Sequence, residues 1–326
     1  MTGADPRILD LIRQRCAEVS AGARLVHLDA DAVPAYAGRL IAEGHGRDEL
    51  PADPWLATEG DAESRAALVI ALDAINFGSG YHPVVTKRPD MSGAVTMATS
   101  LCEHADRSGG ITAASLSRLN AADPHTIFGQ PHDDGPVDKL MAHMAVALAD
   151  LATLVTDRYD GRFLNLVDDA RHSAARLVGL LDQLAFFHDV ATWRDIEVPL
   201  YKRAQLTAAD LSRAFDGQGP GHFDDLDRLT AFADNLVPHV LRVDGVLHYD
   251  PDLAPYVDRG ELLRAGSEAE VEIRAVGVDA VERLCAAMGE RGHPTTPQEL
   301  DHILWFRGGA PRYKAIPRHR TRSVFY

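Results

Sequence analysis

Residues 201–240 read YKRAQLTAADLSRAFDGQGPGHFDDLDRLTAFADNLVPHV, and the rest of the chain is organised around them. Leu200, Ala204, Ala208, Leu211 and Phe215 recur at helical spacing, so this part opens as an amphipathic helix. Pro199 suits its first turn because it has no N–H to leave unpaired. Lys202 and Arg203 fall off the apolar stripe. Gly217, Gly219, Pro220 and Gly221 stop the helix, after which Asp224 or Asp225 caps a short one through Leu226 and Leu229. Pro238 would forfeit a hydrogen bond deep inside a helix, so it belongs in a first turn with Asp234 at or near the N-cap. Free N–H groups and the positive end of the helix dipole there favour a carboxylate, so Asp234 suits work as an anion rather than as an acid.

Before this stretch almost everything reads as helix. Ile8, Leu9, Ile12, Cys16 and Val19 form one stripe, and Val33, Tyr36, Ala37, Leu40 and Ile41 a second that ends at Gly44. A polar linker containing Pro51 and Pro54 leads to ALVIALDAINFGSGYHP, residues 67–83. Its first half is apolar enough for a buried helix. Its end carries Asp73, Asn76, Phe77 and His82, polar groups and a ring of the kind that line a pocket. Helices are expected over residues 92–104, from Thr112, over residues 138–156 up to Gly161, and through FLNLVDDARHSAARLVGLLDQLAFF from residue 163. Between them Asp123, Pro124 and His125 begin a polar connection. The stretch around residues 128–135, with His132, Asp133 and Asp134, matches no helical or ribbon metal spacing and reads as a solvated loop. Trp193 to Val198 alternates as a short extended link.

After Asp234, GVLHY is a second extended piece, and Ser267 with Glu270 makes a capping box in front of a long helix. On that helix Glu272 and Arg274 lie off the apolar stripe as a charge pair. Thr296, Pro297 and Glu299 start a further helix that carries Leu300, Leu304 and Trp305 inward. The tail, RYKAIPRHRTRSVFY, concentrates basic residues but ends in Val324, Phe325 and Tyr326, which a loose tail rarely does. It is expected to dock, carrying His319, Arg320 and Arg322 to an anion whose oxygens match arginine's fork. The whole is a mainly α fold with a few short strands.

Composition narrows the function. A formal charge of −15 over 326 residues argues against a broad nucleic-acid-binding surface, whereas a small anionic ligand needs only a local basic pocket. Three cysteines, Cys16, Cys102 and Cys285, without a CxxC pair fit a reducing compartment; with no signal-type N-terminus and no membrane-length apolar run, a cytoplasmic protein is expected. No Gly-rich phosphate loop, HExxH helix or nucleophile elbow occurs, so neither a metal nor an organic cofactor is implied. Oligomeric state is left open.

KRAQ at 202–205, LTAFAD at 229–234 with Pro238, VEIRA at 271–275 and the terminal HRTRSVFY, in this order, resemble the queuosine salvage family of nucleotide N-glycosidases. The likeness is strong from about residue 165 onward and patchy before it. It implies a helical core related to the helix-hairpin-helix DNA glycosylases and release of queuine from queuosine 5′-monophosphate, a small modified nucleotide. It implies Asp234 as the carboxylate beside an oxocarbenium-like sugar and Lys202 as the second catalytic candidate. The substrate-binding set it implies is Asp73, Asn76, Phe77, His82, Phe232, Asn235, Glu272, Arg274, His319, Arg320, Arg322 and Tyr326. Residues 1–130 would form an N-terminal helical part contributing to the base pocket and 131–326 the catalytic core with its docked tail, or all of it one compact domain. GSGYHP departs from the family's continuation, which leaves another deazapurine nucleotide as an alternative substrate and a non-catalytic nucleotide-binding protein as a second alternative.

Overall fold

The computed structural model describes residues 7–44, 56 and 60–326; the linker reading at Pro51 and Pro54 lies outside them. Mainly helical architecture is what the periodicities require. Helices α1 (Ile8–Gly22), α2 (Ala32–Ala42) and α3 (Ala62–Ala74) are followed by α4 (Gly93–Ser108) and the short α5 (Ala113–Leu116) and α6 (Asp123–Phe128). Then come α7 (Pro136–Tyr159), α8 (Phe163–Asp169), α9 (Ala174–Leu181), α10 (Lys202–Ala214) and α11 (Val237–Val243). The chain closes with α12 (Ala254–Asp258), α13 (Glu268–Gly289), α14 (Pro297–Arg307) and α15 (Pro311–Lys314). Among the described residues, strands only pair two by two. β1 (Val26–Leu28) is antiparallel to β4 (Leu247–Tyr249), β2 (Val190–Trp193) to β3 (Ile196–Pro199), and β5 (Leu262–Leu263) is parallel to β6 (Arg320–Thr321).

The expected stripes face inward: Leu9, Ile12, Cys16 and Val19 of α1 pack against α13, and Val33, Tyr36, Ala37 and Leu40 of α2 do the same from the other side. α3 is buried without interruption from Ala66 to Ala74 because α10 and α8 cover it. Caps fall where side-chain chemistry put them. Ser92 accepts from Val95 N–H, Thr296 and Glu299 form a reciprocal box, and Ser267 accepts from Glu270 N–H while Gly266 N–H donates to Glu270.

Five local expectations are corrected. Pro199 ends β3 instead of opening α10, because residues 190–199 fold back as a hairpin. The run from Phe163 is two helices: Arg171 and His172 both have positive φ, and Ser173 caps a new start. Asp225 does not cap a helix of its own; its carboxylate accepts from Ser173 Oγ and from the N–H groups of Ala174 and Ala175, so it caps α9 from outside, and residues 226–228 make only a 3₁₀ turn. Asp123, Pro124 and His125 form α6. Finally, α7 is long and apolar enough, by length and composition, to cross a membrane. Leu140, Met141, Met144, Leu148, Leu151 and Val155 on it are buried in the core, which accounts for that apolarity.

Candidate active site

The start of α10 and the exit of α3 meet at one polar cluster. Tyr201, just before α10, has φ of 45°, a left-handed conformation costly for a residue with a bulky side chain. It is held there because Asp189 accepts twice on its backbone oxygen, from Leu200 and Tyr201 N–H, and on its carboxylate from Lys202 N–H. This turn aims Lys202 at α3, where its Nζ donates to the backbone oxygen and to Oδ1 of Asn76, 3.3 Å in each case. Arg203, 1% exposed, donates to the carbonyls of Asp73, Ala74, Phe186 and Val324. The helix face that reads as off-stripe is therefore the one that ties α3, the β2 approach and the tail together.

Phe232 and Asp234 sit in an irregular segment, and the structure shows what replaces its missing ladder bonds. Gln205 of α10 accepts from Thr230 N–H and donates to Thr230 Oγ1 and Leu200 O. Phe232 N–H donates to Asp301 of α14 at 2.9 Å, and Arg274 Nε donates to Ala233 O at 2.8 Å. Asp234 Oδ1 accepts from Leu236 N–H (2.8 Å) and Val237 N–H (3.0 Å) at the start of α11, where Pro238 occupies the first turn. The backbone of residues 230–233 is thus held by three different helices, α10, α14 and α13, while the carboxylate itself is fixed by the start of α11.

Around these residues lies a cavity of about 640 Å³, within the range of small-molecule sites. Its walls include Asp73, Asn76, Phe77, His82, Lys202, Phe232, Asp234, Asn235, Arg320 and Tyr326 from the expected set. They also include Lys87, Asp210, Arg213, His239, Asp301, His302, Trp305, Lys314 and Arg318. Of the second group only Trp305, on an inward stripe, and Lys314 and Arg318, in the basic tail, carried a sequence signal; Asp210 and Asp301 in particular look like ordinary helix-surface carboxylates until α10 and α14 turn them toward the cavity.

Charges of both signs line the cavity. Burial pushes the Asp73 carboxyl well above the usual range, helped by the nearby Asp210 charge, and does the same to Asp301, helped by Asp234. Burial also raises Asp210, against the pull of Arg213. Asp73 Oδ2 is buried without a hydrogen-bond partner. Burial draws the Lys202 ammonium, set among Asp234, Asp73 and Asp301, below the lysine range, opposed chiefly by Asp234, and burial lowers Arg318 as well. His82 falls to about 3, first from burial and then from the charges of Arg318, Lys87 and Lys202.

Four expected residues stand elsewhere. Glu272 is fully buried on the opposite face of α13, where it accepts from the N–H groups of Arg24, Leu25 and Val26 and from Trp193 Nε1, so it anchors β1 to the hairpin. Arg274 forms a two-pronged pair with Asp189, at 3.0 and 2.6 Å, and lies over the Tyr326 ring. His319 bonds Tyr326 OH through Nε2 and gives its carbonyl to Asn235 Nδ2. Arg322 lies over the Tyr81 ring. Arg274 and His319 stand behind the wall and support it without lining it, whereas Arg322 is exposed outside it.

The tail docks, and GSGYHP is its seat. Gly78 and Ser79 N–H donate to the Tyr326 backbone oxygen. A side chain at Gly80 would come within 2.3 Å of Thr321 O, so only glycine lets the tail's backbone lie this close. The unusual loop thus answers to the tail's backbone.

His319 carries a pH prediction. It is buried and neutral, lowered from 6.5 to about 3 by burial first and by the charges of Arg274 and Arg318 next. With the folded value below the unfolded one, its contribution is complete above pH 6.5 and is lost as pH falls toward 3. Between pH 7 and 5 it accounts for a loss of about 2 kcal/mol. Urea unfolding at both pH values should show His319→Gln losing about that much less than the wild type; equal losses would refute the assignment.

Known proteins match most of the chain. The sequence profile of the family described as "Queuosine salvage protein" matches residues 56–326. A protein of Sphaerobacter thermophilus named queuosine 5′-phosphate N-glycosylase/hydrolase is 36% identical over 314 residues, 93% of this chain and 94% of that one. A Bos taurus protein of the same name is 29% identical over 336 residues, 96% and 98% of the two chains.

Proposed function

The chain belongs to the queuosine salvage protein family, and from that membership we propose that it hydrolyses the N-glycosidic bond of queuosine 5′-monophosphate and releases queuine. The observation that carries the mechanism is Asp234, fixed through Oδ1 by two backbone N–H groups on the wall of a cavity that also holds Lys202 and Asp301. As the C1′–N bond breaks, positive charge develops on the sugar, and an oriented carboxylate beside it lowers the energy of that state. The base leaves with the electron pair and takes up a proton, while a water oxygen bonds to C1′ and loses one. Queuine has carbon where a purine has its second imidazole nitrogen, so help must reach the six-membered ring. Asp73 and Asp301, both pushed toward the neutral acid by burial, are the groups suited to donate there. Asp73 and Asn76 hold the base edge, with Phe77 behind them.

Lys202 binds Asn76 and balances Asp234 rather than attacking the sugar, since its ammonium is engaged by two oxygens of Asn76. The 5′-phosphate occupies the basic patch of Lys87, Arg318 and Arg320, where positive charges already depress His82. The helical core is of the helix-hairpin-helix glycosylase type in this reading, and the reaction is cytoplasmic.

Hydrolysis of queuosine 5′-monophosphate and of the unphosphorylated nucleoside, followed by mass spectrometry, tests it. Removing the phosphate should lower kcat/KM by about 10²-fold or more, because remote binding energy is lost at the sugar. Equal rates would remove the basic patch from the mechanism, and no queuine from either substrate would remove the activity.

A further inference from the structure

Residues 128–135 read as a solvated loop, yet the fold brings His132 of that loop to a point with His125 before it and Asp138 after it. His125 of α6 presents Nε2, His132 presents Nδ1 from the connecting loop, and Asp138 of α7 presents Oδ1, all within 4.8 Å of one another. Each histidine nitrogen lies 3.3 Å from Asp138 Oδ1. That is longer than the ~2.7–2.9 Å of a charge-assisted hydrogen bond. It equals the ligand-to-ligand edge of a tetrahedron whose centre is ~2.0–2.1 Å from each donor, about 3.3–3.4 Å.

The surroundings orient these atoms toward a shared ion. His125 Nδ1 donates to Gln130 O at 3.0 Å, which leaves the Nε2 lone pair facing Asp138. Asp138 is held by the N–H groups of Asp133 and Asp134. Asp133 in turn accepts from Gly135, Val137 and Asp138 N–H, covering the positive end of α7 that would otherwise repel a cation. His132, 67% exposed in its side chain, stacks on buried His125 with ring centroids 3.8 Å apart, closer than the ~5 Å between two imidazoles on one tetrahedral ion, so its exposed ring swings off His125 when the ion enters.

We propose that His125, His132 and Asp138 form a binding site for a Zn²⁺-class divalent ion, with water as fourth ligand. Two imidazoles and one carboxylate suit zinc and its neighbours, not magnesium or calcium. The ion clamps α6 to α7. Gln130, between them, grips the Thr86 backbone from both sides, Thr86 N–H to its Oε1 and its Nε2 to Thr86 O, each 2.9 Å, next to Lys87 on the cavity wall.

The test uses chelator-treated, untagged full-length protein titrated with Zn²⁺ by calorimetry and with Co²⁺ by absorption. One equivalent should bind per chain, with tetrahedral cobalt bands and a rise in unfolding temperature. His132→Ala removes an exposed side chain and should fold; it should bind about 100-fold more weakly and lose both the bands and the rise, while His293→Ala keeps them. Absence of binding at about 100 µM metal, an octahedral cobalt spectrum, or unchanged affinity in His132→Ala would each overturn the site.

Discussion

Asp234→Asn is expected to lower kcat for queuosine 5′-monophosphate by about 10³-fold with little change in KM. Asparagine keeps an oxygen that can accept from Leu236 and Val237 N–H, so the side chain stays in place and only its charge is lost. The effect belongs in kcat because the carboxylate acts on a positive charge that exists in the transition state and not in the bound nucleotide. Losing the charge also unloads its neighbours: Lys202 forfeits its chief electrostatic support, and Asp301 the charge that helps keep it neutral. Single-turnover release of queuine, followed by mass spectrometry on protein whose unfolding temperature matches the wild type, reads the effect. Turnover within a few-fold of wild type would exclude Asp234 as the cation-stabilising group.

The second large effect is on stability. Arg274→Met should cost about 3–5 kcal/mol, because it takes the shared guanidinium from two buried carboxylates, Asp189 and Glu270. Arg274 and Asp189 have side chains only 2% and 4% exposed, so water cannot replace the lost partner. At this chain length such a loss lowers the unfolding temperature by roughly 4–7 °C. It should also reach the site, since Ala233 O loses its donor immediately before Asp234 and the ring of Tyr326 loses the cation over it. Calorimetry of Arg274→Met beside the double variant Arg274→Met/Asp189→Leu separates the causes: the double should recover part of the loss, because both members of the pair are then apolar. A single variant as stable as the wild type would mean that the pair is not what holds residues 189 and 233 together.

Much of the fold was legible locally. The stripes of α1, α2 and α10, the caps at Ser92, Ser267 and Thr296, and the placement of Pro238 in a first turn follow from side-chain spacing and backbone hydrogen-bonding needs alone. Asp234 was legible for the same reason: a carboxylate three residues before a helix start is a local feature. Local spacing failed where a distant group supplied the partner. Asp225 caps α9 across 50 residues of chain, and nothing near it in sequence reveals that.

Asp73, Asn76, Phe77 and Lys202 could be named from motifs, but that Lys202 reaches Asn76 depends on how α10 crosses α3. Glu272 and Arg274 show the limit most clearly. Two residues apart on one helix, they look like a surface charge pair, yet α13 is wrapped on several sides, so one faces β1 and the other Asp189. The residues alone determined a helical chain, a carboxylate held at a helix start and a basic tail with an apolar end. Tertiary structure decided which carboxylates gather around that one, which tail arginines reach the cavity, and that GSGYHP receives a backbone. A helix period specifies a face, and only packing determines what meets it.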